Sequence, residues 1–208
     1  MDTYLKILKL EKKILEHSDN LHWARWIEKD IYEWENNQST KHHKGAFGGM
    51  GSINDITVGD NNQNGAWQEN LFQLLKSMSW TFAVKRKIEY PKINLQQFEG
   101  MICRTCEYAE ISEYSFYNIL AIRNLPHLIK EWLPTENFET LLNIQEFTKN
   151  AIIENESEKL KRALTDSSII QKPFYTVYPK CPKCNSENSC TYSWKLLSNE
   201  NEFKIQIT

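Results

Sequence analysis

Glycine is scarce in this chain and unevenly placed. All seven glycines of the 208 residues lie at or before Gly100, and four of them fall between Gly45 and Gly51. The second half is therefore built without the residue that most easily supplies left-handed turns. Long apolar runs are missing too. No stretch of about 18 apolar residues occurs, so no membrane-spanning helix is expected. The N-terminal Met1-Asp2-Thr3-Tyr4-Leu5-Lys6 lacks the charged-then-apolar pattern of a signal peptide. An excess of positive charge is also absent. With 25 Lys and Arg against 27 Asp and Glu, the net charge is −2, and the totals carry no electrostatic footprint for nucleic acid. Lys85-Arg86-Lys87 and Lys159-Leu160-Lys161-Arg162 read as solvated helix faces or termini. No nucleophile–base pair, carboxylate dyad or phosphate loop is legible, so no catalytic residue is assigned.

What is present describes a folded globular chain, 40% hydrophobic and 12% aromatic with seven Trp, long enough for one substantial core or two small ones. Tyr4, Ile7, Leu8, Ile14 and Leu15 recur at helical spacing. Ser18 or Asp19 is expected to cap a second helix, whose apolar stripe is Trp23, Ile27, Ile31 and Trp34. His22 beside it reads as a surface or boundary residue. A polar loop follows, with His42 and His43. Adjacent side chains diverge in either regular structure, which argues against a shared metal there.

Gly45 to Gly51 form a glycine-rich loop, after which Ile53 to Val58 read as the start of a short strand. The loop is neither a Walker A sequence nor a dinucleotide fingerprint. One reading is a tight turn in which Asn54 and Asp55 bond to backbone. The other is a partner or ligand loop made of Gly48, Gly49, Gly51, Ser52, Asn54 and Asp55. Phe47-Gly48-Gly49-Met50-Gly51-Ser52-Ile53-Asn54-Asp55, preceded by a Trp-bearing helix, resembles a family of short, uncharacterised bacterial proteins with a Gly-Gly-Met-Gly-Ser-Leu/Ile-Asn-Asp segment. The likeness covers about residues 21–83. It implies a bacterial or phage source and brings no catalytic residues.

Trp67, Leu71, Leu74, Leu75, Met78 and Phe82 mark a strong amphipathic helix, wide enough to cover the first two. Pro91 ends this unit, which suggests domains at 1–90 and 91–208. In the second, a loop or strand from Lys92 to Phe98 leads to Cys103-Arg104-Thr105-Cys106. Ser112 caps a helix through Leu120, Pro126 opens another, and Thr135 caps a long segment through Phe138, Leu141, Leu142, Leu160 and Leu164. Phe174 to Tyr178 is strand-like, and residues from Cys190 to Thr208 alternate like a hairpin.

Between these last two segments lies Cys181-Pro182-Lys183-Cys184, a second CxxC knuckle. Five cysteines with two CxxC pairs fit metal binding in a reducing compartment better than a disulfide framework. No βαβ pattern surrounds either pair, which argues against a thioredoxin-type redox pair. Cys103, Cys106, Cys181 and Cys184 are therefore the expected ligands of one structural zinc, with Cys190 a spare thiol or an alternative ligand. Four thiolates leave the metal no open position for catalysis. The expected fold is mainly α with a small β component: an N-terminal helical unit, then a helical second half closed by a zinc-ribbon-like hairpin. The expected function is a non-enzymatic, cytoplasmic protein-interaction module, such as an immunity protein, an inhibitor or a defence-complex accessory. Its partner is another protein and not a membrane. Lys180, Lys183 and Lys195 around the knuckle motivate the alternative, a nucleic-acid-associated zinc ribbon.

Overall fold

Apolar residues at helical spacing produce α1 (Thr3–His17) and α2 (Leu21–Asn37). The computed structural model describes residues 2–59, 63–89, 98–133, 151–173, 180–187, 189–198 and 203–207. Asp2 caps α1: one carboxylate oxygen accepts from the Tyr4 N–H at 2.9 Å. The other accepts from the Trp34 indole at 2.7 Å, so a single short side chain both starts α1 and holds it to the end of α2. Ser18 and Asp19, expected to cap α2, close α1 instead. Ser18 Oγ donates back to the Ile14 carbonyl, Asp19 takes φ +57°, and Asn20 occupies the N-cap position of α2. The reversal between the two helices is so short that it needs a left-handed residue, and Asp tolerates that conformation.

The next elements are α3 (Lys41–Gly45), a single 3-10 turn (Ile53–Asp55) and α4 (Gln63–Lys85). The strand expected to open at Ile53 does not form. Ser52 Oγ accepts from the Asn54 N–H (3.3 Å) while the Asp55 carboxylate accepts from the Ser52 N–H (3.1 Å). This reciprocal capping box winds the segment where extension would leave those groups unpaired. Gly59 then lies against the first turn of α4. A Cβ there would sit 2.0 Å from the Gly65 carbonyl oxygen, so only glycine fits. Helix α4 buries Trp67, Leu71, Phe72, Leu74, Leu75 and Met78, an apolar surface too wide for one neighbour. It packs against α1 and also against α5.

The second half contains β1 (Phe98–Cys103), β2 (Ala109–Ser112), α5 (Glu113–Trp132), α6 (Ala151–Asp166), β3 (Ile169–Lys172), β4 (Ser189–Ser198) and β5 (Phe203–Ile207). The strands form one sheet in the order β3-β2-β1-β4-β5. Every pairing is antiparallel except β2 with β3. A parallel pair needs a crossover, and α5 with α6 supplies it. The fold is thus mainly helical with a small sheet, and its helical part is inserted into a zinc-ribbon-like arrangement of strands. The sheet is larger than the expected hairpin, because β1 and the short strands β2 and β3 join it.

Ser112 ends β2 and caps α5, accepting from the Ser115 N–H at 3.0 Å. Pro126, expected to open a separate helix, lies inside α5. Leu125, Leu128 and Ile129 around it are buried, and that packing carries the helix through the missing N–H. Several expectations fall outside the described residues: the approach from Lys92, the Thr135-capped segment through Leu142, and the Phe174–Tyr178 strand. Residues 90–97, where units 1–90 and 91–208 would part, lie outside them as well. Across that point the apolar core is one continuous cluster, running from Tyr4 and Ile7 through Trp67 and Leu75 to Phe116, Leu128 and Ile169. A polar tie accompanies it. The buried Lys6 ammonium donates to the Leu133 carbonyl at the C-terminal end of α5 (3.2 Å), where cations are favoured.

Two acidic residues fall on apolar stripes. Asp30 is buried in α2, where His42 Nδ1 (2.5 Å) and His43 Nδ1 (2.8 Å) both meet its carboxylate. A carboxylate only accepts, so both rings present Nδ1–H to it. Glu11 on α1 is fully buried, with Ser79 Oγ 2.7 Å from one oxygen and 3.0 Å from the Lys76 carbonyl. The serine has one proton. Given to one of these oxygens it is lost to the other, and the second Glu11 oxygen has no hydrogen-bond partner among the described residues. Burial pushes the Glu11 carboxyl up to about 7, with Asp30 adding to the effect while His43, Ser79 and Lys76 oppose it.

Between the ordinary value of 4.5 and about 7, the folded state holds a proton that the unfolded chain has lost. The contribution of neutral Glu11 is therefore intact below pH 4.5 and is lost as pH rises through about 7. The interval corresponds to about 3 kcal/mol. Urea unfolding at pH 5 and at pH 8 should show this loss in the native chain and not in Glu11→Gln, whose amide can still meet Ser79. An unchanged pH dependence in the variant would remove Glu11 from the account.

Candidate metal centre

Two loops at one end of the sheet are built alike. In the first, the Cys103 N–H donates to the Tyr108 carbonyl (2.8 Å) and the Glu107 N–H to the Cys103 carbonyl (2.9 Å). In the second, the Cys181 N–H donates to the Ser186 carbonyl (2.7 Å) and the Asn185 N–H to the Cys181 carbonyl (2.9 Å). Glu107 and Asn185 hold φ +57° and +59° at the same position of each loop. Asn enters this region readily, whereas a residue such as Glu107 does so at a cost of roughly 1–2 kcal/mol. The Lys183 N–H points at Cys181 Sγ (3.4 Å), and Thr105 Oγ1 meets Ser186 Oγ at 2.9 Å, tying one knuckle to the other.

The sheet brings the knuckles together. Cys103 ends β1, and its ladder partner is Ser189, the first residue of β4. Cys103 Sγ lies 3.6 Å from Cys184 Sγ, and Cys106 Sγ lies 3.7 Å from Cys181 Sγ. All four ligand atoms fall within 4.8 Å of one another. A disulfide needs about 2.0 Å, and these four thiols are unbridged. Tetrahedral zinc with Zn–S of about 2.3 Å has sulfur–sulfur edges of about 3.8 Å, which the two short contacts match. Cys103 and Cys181 are buried, Cys106 is half-buried and Cys184 is exposed. Cys190 sits in β4 opposite Ile102, in the ladder and not in a knuckle.

The electrostatics suit a cation. For Cys103, burial opposes ionisation, but the Cys106 and Thr105 N–H groups and the Cys184 and Cys181 thiols outweigh it and pull the thiol down to about 6. For Cys184 the Ser186 N–H lowers the value, yet burial and the three neighbouring sulfurs push it up to about 12. One thiolate forms readily and further ones are resisted. A bound divalent cation relieves that resistance and deprotonates coordinating thiols outright.

The glycine loop is built on other elements. The Ile53 N–H donates to the Ala46 carbonyl (2.9 Å) and closes it. Gly49 and Gly51 take φ +82° and +74°, conformations that call for glycine. Asp55 and Ser52 are occupied with each other in the capping box, and Asn54 Nδ2 donates to the Phe47 carbonyl (3.4 Å). Gly48, Gly49, Met50 and Gly51 are exposed. His42 and His43 are both committed to Asp30.

Residues 16–66, about a quarter of the chain, match the model of a domain of unknown function (DUF6966). The match includes α2, α3 and the glycine loop, and stops short of every cysteine. No curated protein and no solved structure matches the chain.

Elemental analysis of untagged protein should find one metal per chain, and Cys181→Ser should abolish retention. In hydrogen exchange, that variant should lose protection in β1, β4, β5 and both knuckles far more than in α1 and α2. Protection unchanged everywhere would mean that the four thiols never share a metal. Equal loss in all elements would mean that metal and helices unfold as one unit.

Proposed function

We propose that this chain is a non-enzymatic protein-interaction module braced by structural zinc. The observation that carries the reading is the four-sulfur cluster. A tetrahedral ion held by Cys103, Cys106, Cys181 and Cys184 has no position left for water or substrate, so its role is to hold structure. Four soft donors in this geometry suit zinc. Zinc-finger peptides gain roughly 10–16 kcal/mol from the metal, comparable with the whole stability of a typical domain. Among the described residues no helix is long and apolar enough to cross a membrane. Unbridged thiols suit a reducing compartment, and we place the protein in the cytoplasm of a bacterium or of a phage-infected cell. There it would serve as an immunity protein, an inhibitor or an accessory of a defence complex.

The ribbon itself offers weak support for a nucleic-acid role. Lys180 lies 3.6 Å from Glu187, which offsets charge beside the knuckle. Co-expression with the products of neighbouring genes tests the proposal. The expected result is a stoichiometric complex with another protein that survives high salt. Salt-sensitive retention of DNA or RNA, with no protein complex, would overturn it.

A further inference from the structure

Away from the metal, one face combines exposed apolar side chains, bare backbone and cations. The glycine loop is fixed along α4 at two points. Phe47 packs on Trp80 (ring centroids 4.8 Å apart), and the Ile53 carbonyl accepts from Lys76 Nζ (3.4 Å). Lys76 and Trp80 are one helical turn apart, so Gly48 to Gly51 form the open tip between two anchors. Met50 at that tip is fully exposed, and Trp80 and Val84, again one turn apart, are 39% and 51% exposed. Large apolar side chains left uncovered together mark sites where another molecule docks.

The glycines divide into two kinds. Gly49 and Gly51 are required by their positive φ. Gly48 is not: its φ is not positive, and a Cβ added there would meet nothing within 4 Å. The fold would accept alanine or a larger residue at 48. Glycine there leaves the backbone amide and carbonyl open to an approaching chain.

Cations gather at the C-terminal end of α4, next to Val84. Thr40 Oγ1 donates to the Ala83 carbonyl (3.1 Å) and Arg86 Nη1 to the Gln38 carbonyl (3.0 Å), which sets the start of α3 beside the end of α4. Lys41 and Lys44 of α3 thereby join Lys85, Arg86 and Lys87, all five exposed. Glu89 is the carboxylate that pairs here, with Lys85 (3.0 Å) and Lys87 (3.8 Å). Lys41 and Lys44 form no ion pair with a described residue. Such a local cationic excess contrasts with the net charge of −2 for the chain.

We infer that this face docks an acidic protein segment that places a large apolar side chain against Met50, Trp80 and Val84. The inference rests on the interaction-module reading and names the surface and the chemistry of its partner. Opposite charge steers the partner and fixes its register. The flexible thioether of Met50 adapts to an apolar pocket. A nucleic acid would need open aromatic faces for its bases. Trp80 has one side against Phe47 and Trp34 is buried beneath the Arg86 guanidinium (5.4 Å), so this face offers no row of open rings.

A phage-displayed library of random peptides, selected on the folded, metal-loaded full chain, tests this. Enriched peptides should be acidic with at least one large apolar residue. They should bind Lys44→Glu and Met50→Asp about tenfold more weakly or worse, and Gly48→Leu should block them. These positions are exposed, and melting curves matching the native chain confirm that the variants fold. No enrichment, enrichment without acidic bias, or binding indifferent to all three substitutions would overturn the inference. So would a single-stranded oligonucleotide whose binding is lost in the same variants. A co-expressed partner that forms its complex regardless of these substitutions would sink this face while leaving the module reading in place.

Discussion

Four sulfurs that meet across 81 residues (Cys103 to Cys184) and 75 residues (Cys106 to Cys181) of chain set the terms for the second half of this protein. Everything between them, from β2 through α5 and α6 to β3, is an excursion that leaves the ribbon at Cys106 and returns at Cys181. Closing so long a loop costs entropy that grows only slowly with length, and the sheet alone offsets part of it through the β1–β4 ladder. Left-handed residues at Glu107 and Asn185 close the two knuckles in the same way. Without a cation the cluster is electrostatically awkward, since Cys103 ionises easily while Cys184 resists.

The N-terminal part is held by other means. Buried polar groups join α1 to α4, Glu11 to Ser79, and α2 to α3, Asp30 to His42 and His43. Asp2 serves two helices at once. Buried groups of this kind are costly to leave unpaired, so they fix which helix face meets which. The glycine loop rests on that rigid base with its tip in solvent. The molecule therefore separates a sheet that carries the cysteine cluster from a helical layer that carries the exposed glycine loop, while one apolar core runs between them.

The helices were legible because their apolar residues recur with one clear period; Tyr4, Ile27 and Leu71 sit where that period places them. The cysteine pairs were legible because CxxC is a local turn whose chemistry is explicit. What escaped was decided by contacts remote in sequence. Strand β3 is four residues long and forms because β2 lies alongside it. Pro126 stays inside α5 because its neighbours are buried. The Ser52–Asp55 box turned an apparent strand start into a 3-10 turn. Glu11 and Asp30 did interrupt apolar stripes at helical spacing. Those interruptions were the available sign of a buried polar seam, and only the fold identifies Ser79, His42 and His43 as their partners.

X-ray absorption at the zinc edge, on protein purified without added metal, addresses the four-sulfur cluster most directly. The account predicts four sulfur neighbours at about 2.3 Å with no nitrogen or oxygen ligand. A nitrogen or oxygen in the first coordination sphere would open the site to chemistry, and a protein isolated without zinc, its cysteines paired as disulfides, would remove the site altogether. Either result would contradict it.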